Sequence, residues 1–129
     1  VAEKEPGKER HRVLVVDDEP DILKLLQYSL REEYEVLTAA GGEEALEILR
    51  RTDVAVIVAD QRMPGMSGTE FLHRSVEVRP EAVRLILTGY TDIGSALEAI
   101  NTGGVYRYLT KPWEESELHL NIRNAVETF

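Results

Sequence analysis

Short runs of unbroken apolar residues recur along this chain, each followed by a stretch whose apolar residues return at helical spacing. The clearest runs are Val13-Leu14-Val15-Val16, Val54-Ala55-Val56-Ile57-Val58-Ala59 and Leu85-Ile86-Leu87. Runs this short and this rich in Val and Ile suit strands buried on both faces of a parallel sheet. Residues 34–38 and 105–109 are more polar versions and predict strands nearer the sheet edges. Helical stripes lie between and after them: Ile22, Leu25, Leu26 and Leu30; Ala45, Leu46 and Leu49; Phe71, Leu72 and Val76; Ile93, Ala96, Leu97 and Ile100; Leu118, Ile122, Ala125 and Val126. Each stripe would turn one apolar face inward. Pro20 suits a first helical turn, and Thr91-Asp92 offers an N-terminal cap. Glu114, Glu115 and Glu117 load the start of the last helix with charge that its dipole favours. Strand then helix, five times over, predicts parallel strands joined by crossovers, with helices on both faces of one open α/β domain.

The bulk properties restrict the function classes. A chain of 129 residues is the size of one ordinary domain. Residues 1–10, broken by Pro6-Gly7, read as a polar tail, and 11–129 as the domain. The net charge of −9 argues against gripping nucleic acid or an anionic membrane, which both need a basic face. No apolar run approaches the ~18 residues of a membrane span, and VAEKEPGKER lacks a signal-peptide core. The absence of cysteine excludes disulfide and thiol chemistry and is compatible with a cytoplasmic location.

In open α/β sheets, ligands bind outside the carboxyl ends of the strands. Here those ends deliver Asp17-Asp18-Glu19, Asp60, Thr88-Gly89 and Lys111-Pro112. Taken singly, each has a bland explanation, since Asp or Glu after a strand is usually a cap, and Thr-Gly or Lys-Pro a turn. Together they contain the parts of one reaction. Crowded carboxylates repel by about 4 kcal/mol per pair at an effective dielectric near 20. Mg²⁺ relieves this, taking one or two carboxylates and completing its shell with water and phosphate oxygens. A neighbouring carboxylate can then act as nucleophile towards a phosphoryl group whose charge is met by an ammonium and a hydroxyl. Asp60, Asp18, Lys111 and Thr88 fill these roles.

The stretches VLVVDDEPDI, VIVADQRMPGMSGTEFL, LILTGYTD and YRYLTKPW, in that order from Val13 to Trp113, resemble the receiver domains of two-component response regulators. The resemblance implies a flavodoxin-like, doubly wound five-stranded sheet of order 2-1-3-4-5. It implies Asp60 as phosphoryl acceptor, and Mg²⁺ or Mn²⁺ held by Asp17, Asp18, Asp60 and the backbone carbonyl of Arg62. Asp18 would be the more direct ligand, with Asp17 acting more through water. Thr88 would be the switch hydroxyl, Tyr108 the switch aromatic, and Lys111 the lysine that meets the phosphoryl oxygens. Gly89 matches the small residue beside the phosphoryl group, and the Lys111-Pro112 peptide is expected to be cis. Arg62 and Tyr90, two residues beyond Asp60 and Thr88, would flank the route of attacking water and tune the phosphoryl lifetime. A sensor histidine kinase would donate the group, and phosphorylation would remodel the fourth helix, fifth strand and fifth helix for an output domain or effector outside this chain. A homodimer is left open. DQRMPGMSG and LTGYTD…YRYLTKPW look particularly like receivers attached to HD-type phosphodiesterases or to ATPase-type transcription activators.

Other readings are weaker. Phosphatases with an Asp nucleophile and Mg²⁺ carry a second carboxylate two residues after the nucleophile, where this chain has Arg62. A flavin module would be repelled by the acidic rim, and a non-phosphorylated interaction module would not need an intact Asp/Thr/Lys set. The expected chemistry is self-phosphorylation and self-dephosphorylation only, not turnover of an external substrate. His11, His73 and His119 are scattered and read as surface or packing residues. Gly41-Gly42 and Gly103-Gly104 read as turns between elements, and Met63-Pro64-Gly65-Met66 as a loop shaping the site.

Overall fold

The computed structural model describes residues 10–102 and 104–129. Most of the predicted tail therefore lies outside the described residues, as does Gly103. Arg10 is exposed and donates to the carbonyl of Arg31 at 2.6 Å.

Among the described residues, five strands alternate with five helices: β1 (Arg12–Val16), α1 (Pro20–Leu30), β2 (Glu35–Ala39), α2 (Gly42–Arg51), β3 (Val56–Asp60), α3 (Gly68–Val78), β4 (Val83–Thr88), α4 (Ile93–Asn101), β5 (Arg107–Thr110) and α5 (Glu115–Thr128). A short 3₁₀ turn, Tyr90–Asp92, precedes α4. All pairings are parallel and the order is β2-β1-β3-β4-β5, as the receiver resemblance implies.

Strand alternation divides the apolar residues between two cores. Leu14, Val16, Ile57, Ala59 and Ile86 face α2, α3 and α4, where Ala45, Leu46, Leu49, Phe71, Leu72, Ala96 and Ala99 are buried. Val13, Val15, Val56, Val58, Leu85 and Leu87 face α1 and α5, against Leu26, Leu30, Leu118, Ile122 and Ala125. Because β1, β3 and β4 are covered on both sides, their central runs, Val13–Val16, Val56–Ala59 and Leu85–Leu87, are apolar without a break rather than alternating.

Some expectations need correction. Leu25 and Leu97 were placed on inward stripes but are 52% and 45% exposed. In α1 the core-facing arc passes through Leu23, Leu26 and Leu30, and in α4 Ala99 occupies the inward place expected of Leu97. Asp92 stands at the N-cap of α4, yet its side chain makes no capping bond. Of the Gly41-Gly42 pair, Gly41 lies in the short connection between β2 and α2, as its N-cap, whereas Gly42 is already the first residue of α2. Gly42 packs closely against the loop after β3: a Cβ there would lie 2.7 Å from the Met66 sulfur.

Candidate functional site

Strand register sets the site. Val16 pairs with Ala59, so Asp17 and Asp60 follow at the same level on neighbouring strands. Asp60 pairs with Leu87, which places Thr88 next along β4, and Thr88 pairs with Thr110, so Lys111 emerges just beyond β5. Three adjacent strand ends and the end of β5 thus converge on one rim.

Asp17, Asp18 and Asp60 each bring a carboxylate oxygen within 4.8 Å of the other two. Asp17 is fully buried, Asp60 nearly so, and Asp18 is exposed. The Lys111 ammonium sits among them, 3.0 Å from Asp17 Oδ2, 3.1 Å from Asp60 Oδ1 and 3.4 Å from Glu19 Oε1. The other Asp17 oxygen accepts the Glu19 backbone N–H at 2.9 Å. Burial pushes the Asp60 carboxyl above the usual range; its bond to Lys111 opposes this, and the charges of Asp17 and Asp18 add to it. Burial pulls the Lys111 ammonium down, but its bonds to Asp17 and Asp60 outweigh that and its affinity for the proton is raised. An all-oxygen set of three carboxylates, one of them exposed and open to solvent, suits a hard divalent cation.

The remaining predicted residues are placed around this centre. Thr88 is buried and donates its hydroxyl to the Gly89 carbonyl at 3.2 Å. Tyr108 is half-buried and packs with the core on the α4 face, the face that Thr88 shares by strand alternation. The Lys111-Pro112 peptide is cis. Arg62 lines the open cleft above Asp60 together with Glu19, Gln61, Gly89, Thr91, Asp92 and Lys111. Tyr90 is not brought into that lining, and is 71% exposed. The three histidines stand apart from the cleft lining; His119 lies between Glu33 and Glu115.

Several contributors escaped the sequence reading. Glu19 was placed on the rim without a role of its own, but its side chain reaches Lys111. Gly68 was given no role. A Cβ there would fall 2.0 Å from the Asp60 carbonyl oxygen, and its N–H donates to the Gln61 carbonyl at 3.0 Å. The first residue of α3 is therefore seated on the backbone that presents Asp60. Ser67 caps this helix, accepting the Glu70 N–H at 3.1 Å. Asp92 binds Arg62 through both carboxylate oxygens, at 2.6 and 3.0 Å. That pairing spans 30 residues, and no local pattern announces it.

Fold and site together define an open α/β module of the flavodoxin-like class, with an acidic pocket answered by one lysine at the carboxyl edge of its sheet. The chain belongs to the response regulator receiver domain family, whose sequence profile matches residues 13–123. It is 45% identical over 115 residues to the hydrogenase transcriptional regulatory protein HoxA of Cupriavidus necator, covering 89% of this chain and 24% of that protein. Among solved structures, the protein described as adenylate cyclase from Rhodopirellula baltica superposes with a TM-score of 0.90 at 38% identity, covering 92% of this chain and 89% of the other. The signal receiver domain of an HD domain-containing protein from Pseudomonas fluorescens Pf-5 gives 0.86 at 36% identity, covering 92% and 96%. The chain spans about a quarter of the length of the curated regulator named above. It is a receiver domain of the two-component response-regulator type. Among the described residues, no helix is long and apolar enough to cross a membrane.

Proposed function

We propose that Asp60 is the phosphoryl acceptor of this receiver and works with Mg²⁺, or Mn²⁺ in its place. The observation that carries the reading is the Asp60 carboxylate itself. It is almost buried, 3.1 Å from the Lys111 ammonium, and clustered with two further carboxylates. Asp18, Asp60 and the Arg62 carbonyl would hold the cation, with Asp17, whose oxygens already accept from Glu19 and Lys111, acting more through water. When bound, the cation neutralises carboxylate charge and meets phosphoryl oxygens.

A carboxylate oxygen of Asp60 attacks the phosphorus of a phosphohistidine on a sensor kinase. The new P–O bond forms as the P–N bond breaks, and the imidazole leaves with the electron pair and takes up a proton. Lys111 is placed to meet an oxygen of the transferred group, and Thr88, spending its hydrogen on a long bond to Gly89, can redirect it there. Hydrolysis of the acyl phosphate returns the carboxylate, so the domain catalyses only its own phosphorylation and dephosphorylation. Arg62 at the cleft and Tyr90 beside it would set how readily water attacks. Movement of Thr88 would draw Tyr108 inward and shift the α4–β5–α5 surface towards an output domain or effector. A cytoplasmic location and a histidine-kinase donor follow from this reading.

Asp-nucleophile phosphatase chemistry finds no support here. The position two beyond the nucleophile holds Arg62, whose guanidinium is paired with Asp92 and has no basic lone pair to offer.

Intact-protein mass after incubation with acetyl phosphate tests the proposal. Expected is one added phosphoryl group that requires Mg²⁺ and is lost in Asp60→Asn. An adduct that persists in Asp60→Asn, or none even when the reaction is quenched within seconds, would overturn it.

A further inference from the structure

Asp92 occupies a position where an aspartate normally caps a helix, accepting N–H groups of the first turn. Its backbone stands at the N-cap of α4, but its side chain makes no such bond. Both oxygens are turned to Arg62 instead, at 2.6 and 3.0 Å. This fork joins the loop after β3 to the entrance of α4. The Asp92 side chain is largely covered at 17% exposure, whereas that of Arg62 is 76% exposed and has room to swing. Both residues line the same open cleft, of about 320 Å³, as Asp60 and Lys111.

We infer that Arg62 is a phosphoryl-binding residue held in reserve by Asp92, and that phosphorylation exchanges its partner and releases Asp92 to cap α4. The inference rests on the phosphoacceptor reading of Asp60. Before transfer, the guanidinium has the Asp92 carboxylate as its partner. Afterwards, the same cleft contains a phosphoryl group with about two negative charges and oxygens that match the guanidinium fork. The more highly charged ligand competes for Arg62. Asp92, left without its cation, stands at the N-cap position, from which a side-chain turn would let its carboxylate accept backbone N–H groups of Gly94 or Ser95 in the first turn. Charge arriving at Asp60 would thereby change the start of α4 by a route separate from Thr88 and Tyr108.

The competition predicts opposite signs for the two partners. Trp113, the only tryptophan, lies two residues beyond Lys111 and is partly buried, so its fluorescence can follow binding of beryllofluoride in the presence of Mg²⁺. Asp92→Asn should tighten binding by about two- to five-fold, the range of an exposed ion pair, because Arg62 is freed. Arg62→Gln should weaken it by a similar factor, and Asp92→Asn should have no effect when added to Arg62→Gln. In the unsubstituted protein, the NMR signal of Arg62 Nε should shift on beryllofluoride addition. Tightening that persists in the double variant, an Asp92→Asn protein that binds no more tightly, or an unmoved Arg62 signal overturns the exchange. If the unsubstituted protein binds no beryllofluoride, the phosphoacceptor reading itself fails and the exchange with it.

Discussion

Asp60 concentrates the conflict at the residue scale. Its folded-state carboxyl pKa lies above the ordinary value, chiefly through burial, so the folded state holds a proton there more tightly than the unfolded chain does. By linkage, its contribution favours folding below the ordinary carboxylate range and is lost as pH rises through the raised value. At neutral pH and without a divalent cation, ionised Asp60 should therefore oppose folding. Asp60→Asn is expected to raise the melting temperature by a few degrees in chelator at neutral pH, with the gain vanishing near pH 3. Mg²⁺ should stabilise the unsubstituted domain by preferential binding and stabilise Asp60→Asn much less. Thermal melts across pH, with and without Mg²⁺, decide this; a destabilised Asn variant at neutral pH contradicts it. Gly68 bears on the same residue through sterics. Gly68→Ala must displace the backbone of Asp60, and is expected to cost about 1–3 kcal/mol in urea titrations and to slow adduct formation. Unchanged values for both would mean that α3 can tilt away freely. The charged members of this site were legible in the sequence because each follows a strand. Gly68 and Asp92 were not, because their importance comes from a backbone contact and a distant partner that exist only after folding.

At the scale of elements, β4 shows why strand limits were harder to read than strand existence. Its apolar run seemed to begin at Leu85, but the strand begins at Val83 and contains a buried arginine. Arg84 has no carboxylate within ion-pair distance among the described residues. Its guanidinium donates to Ser75 Oγ at 2.7 Å, to the carbonyls of Ser75 at 2.9 Å and Ala82 at 2.5 Å, and to that of Arg79. It thus satisfies carbonyls at the end of α3 and in the turn leading to its own strand, and burial lowers its pKa. A charge in an otherwise apolar run reads as a boundary until the acceptors that surround it are known. Arg84→Met is expected to cost about 2–4 kcal/mol in urea unfolding, because several buried acceptors lose their donor together. Arg84→Lys should recover only part, since an ammonium cannot reproduce the planar fork. Full recovery by lysine would show that charge, and not geometry, fastens α3 to β4. The misplaced Leu25 and Leu97 have a related origin: spacing defines a stripe, but only the neighbouring sheet decides which edge of that stripe is covered.

Across the whole molecule, the helices are unequally anchored. Each of α1, α2, α3 and α5 buries at least two large apolar side chains: Leu26 and Leu30, Leu46 and Leu49, Phe71 and Leu72, Leu118 and Ile122. The buried residues of α4 are Ala96 and Ala99, with Ile93 and Ile100 only partly covered. At about 0.8 kcal/mol per buried methylene, replacing two leucine-sized anchors by alanines lowers the local hold by several kcal/mol. This weakly held helix lies on the sheet face that Thr88 and Tyr108 share, next to the rim where Asp60 would receive its charge. A domain built this way can keep its β1–β3 half rigid while one side changes its arrangement, since local opening follows the least buried element. Hydrogen exchange gives the test. In the metal-free protein, the slowest amides of α4 should exchange at least about tenfold faster than those of α2 or α5, a difference of about 1.4 kcal/mol or more. Mg²⁺ with beryllofluoride should then alter protection mainly in α4 and β5 and leave α2 nearly unchanged. Equal protection of α4 and α2 before addition would refute weak anchoring, and a uniform change afterwards would mean that the added charge tightens the whole fold instead of biasing one face.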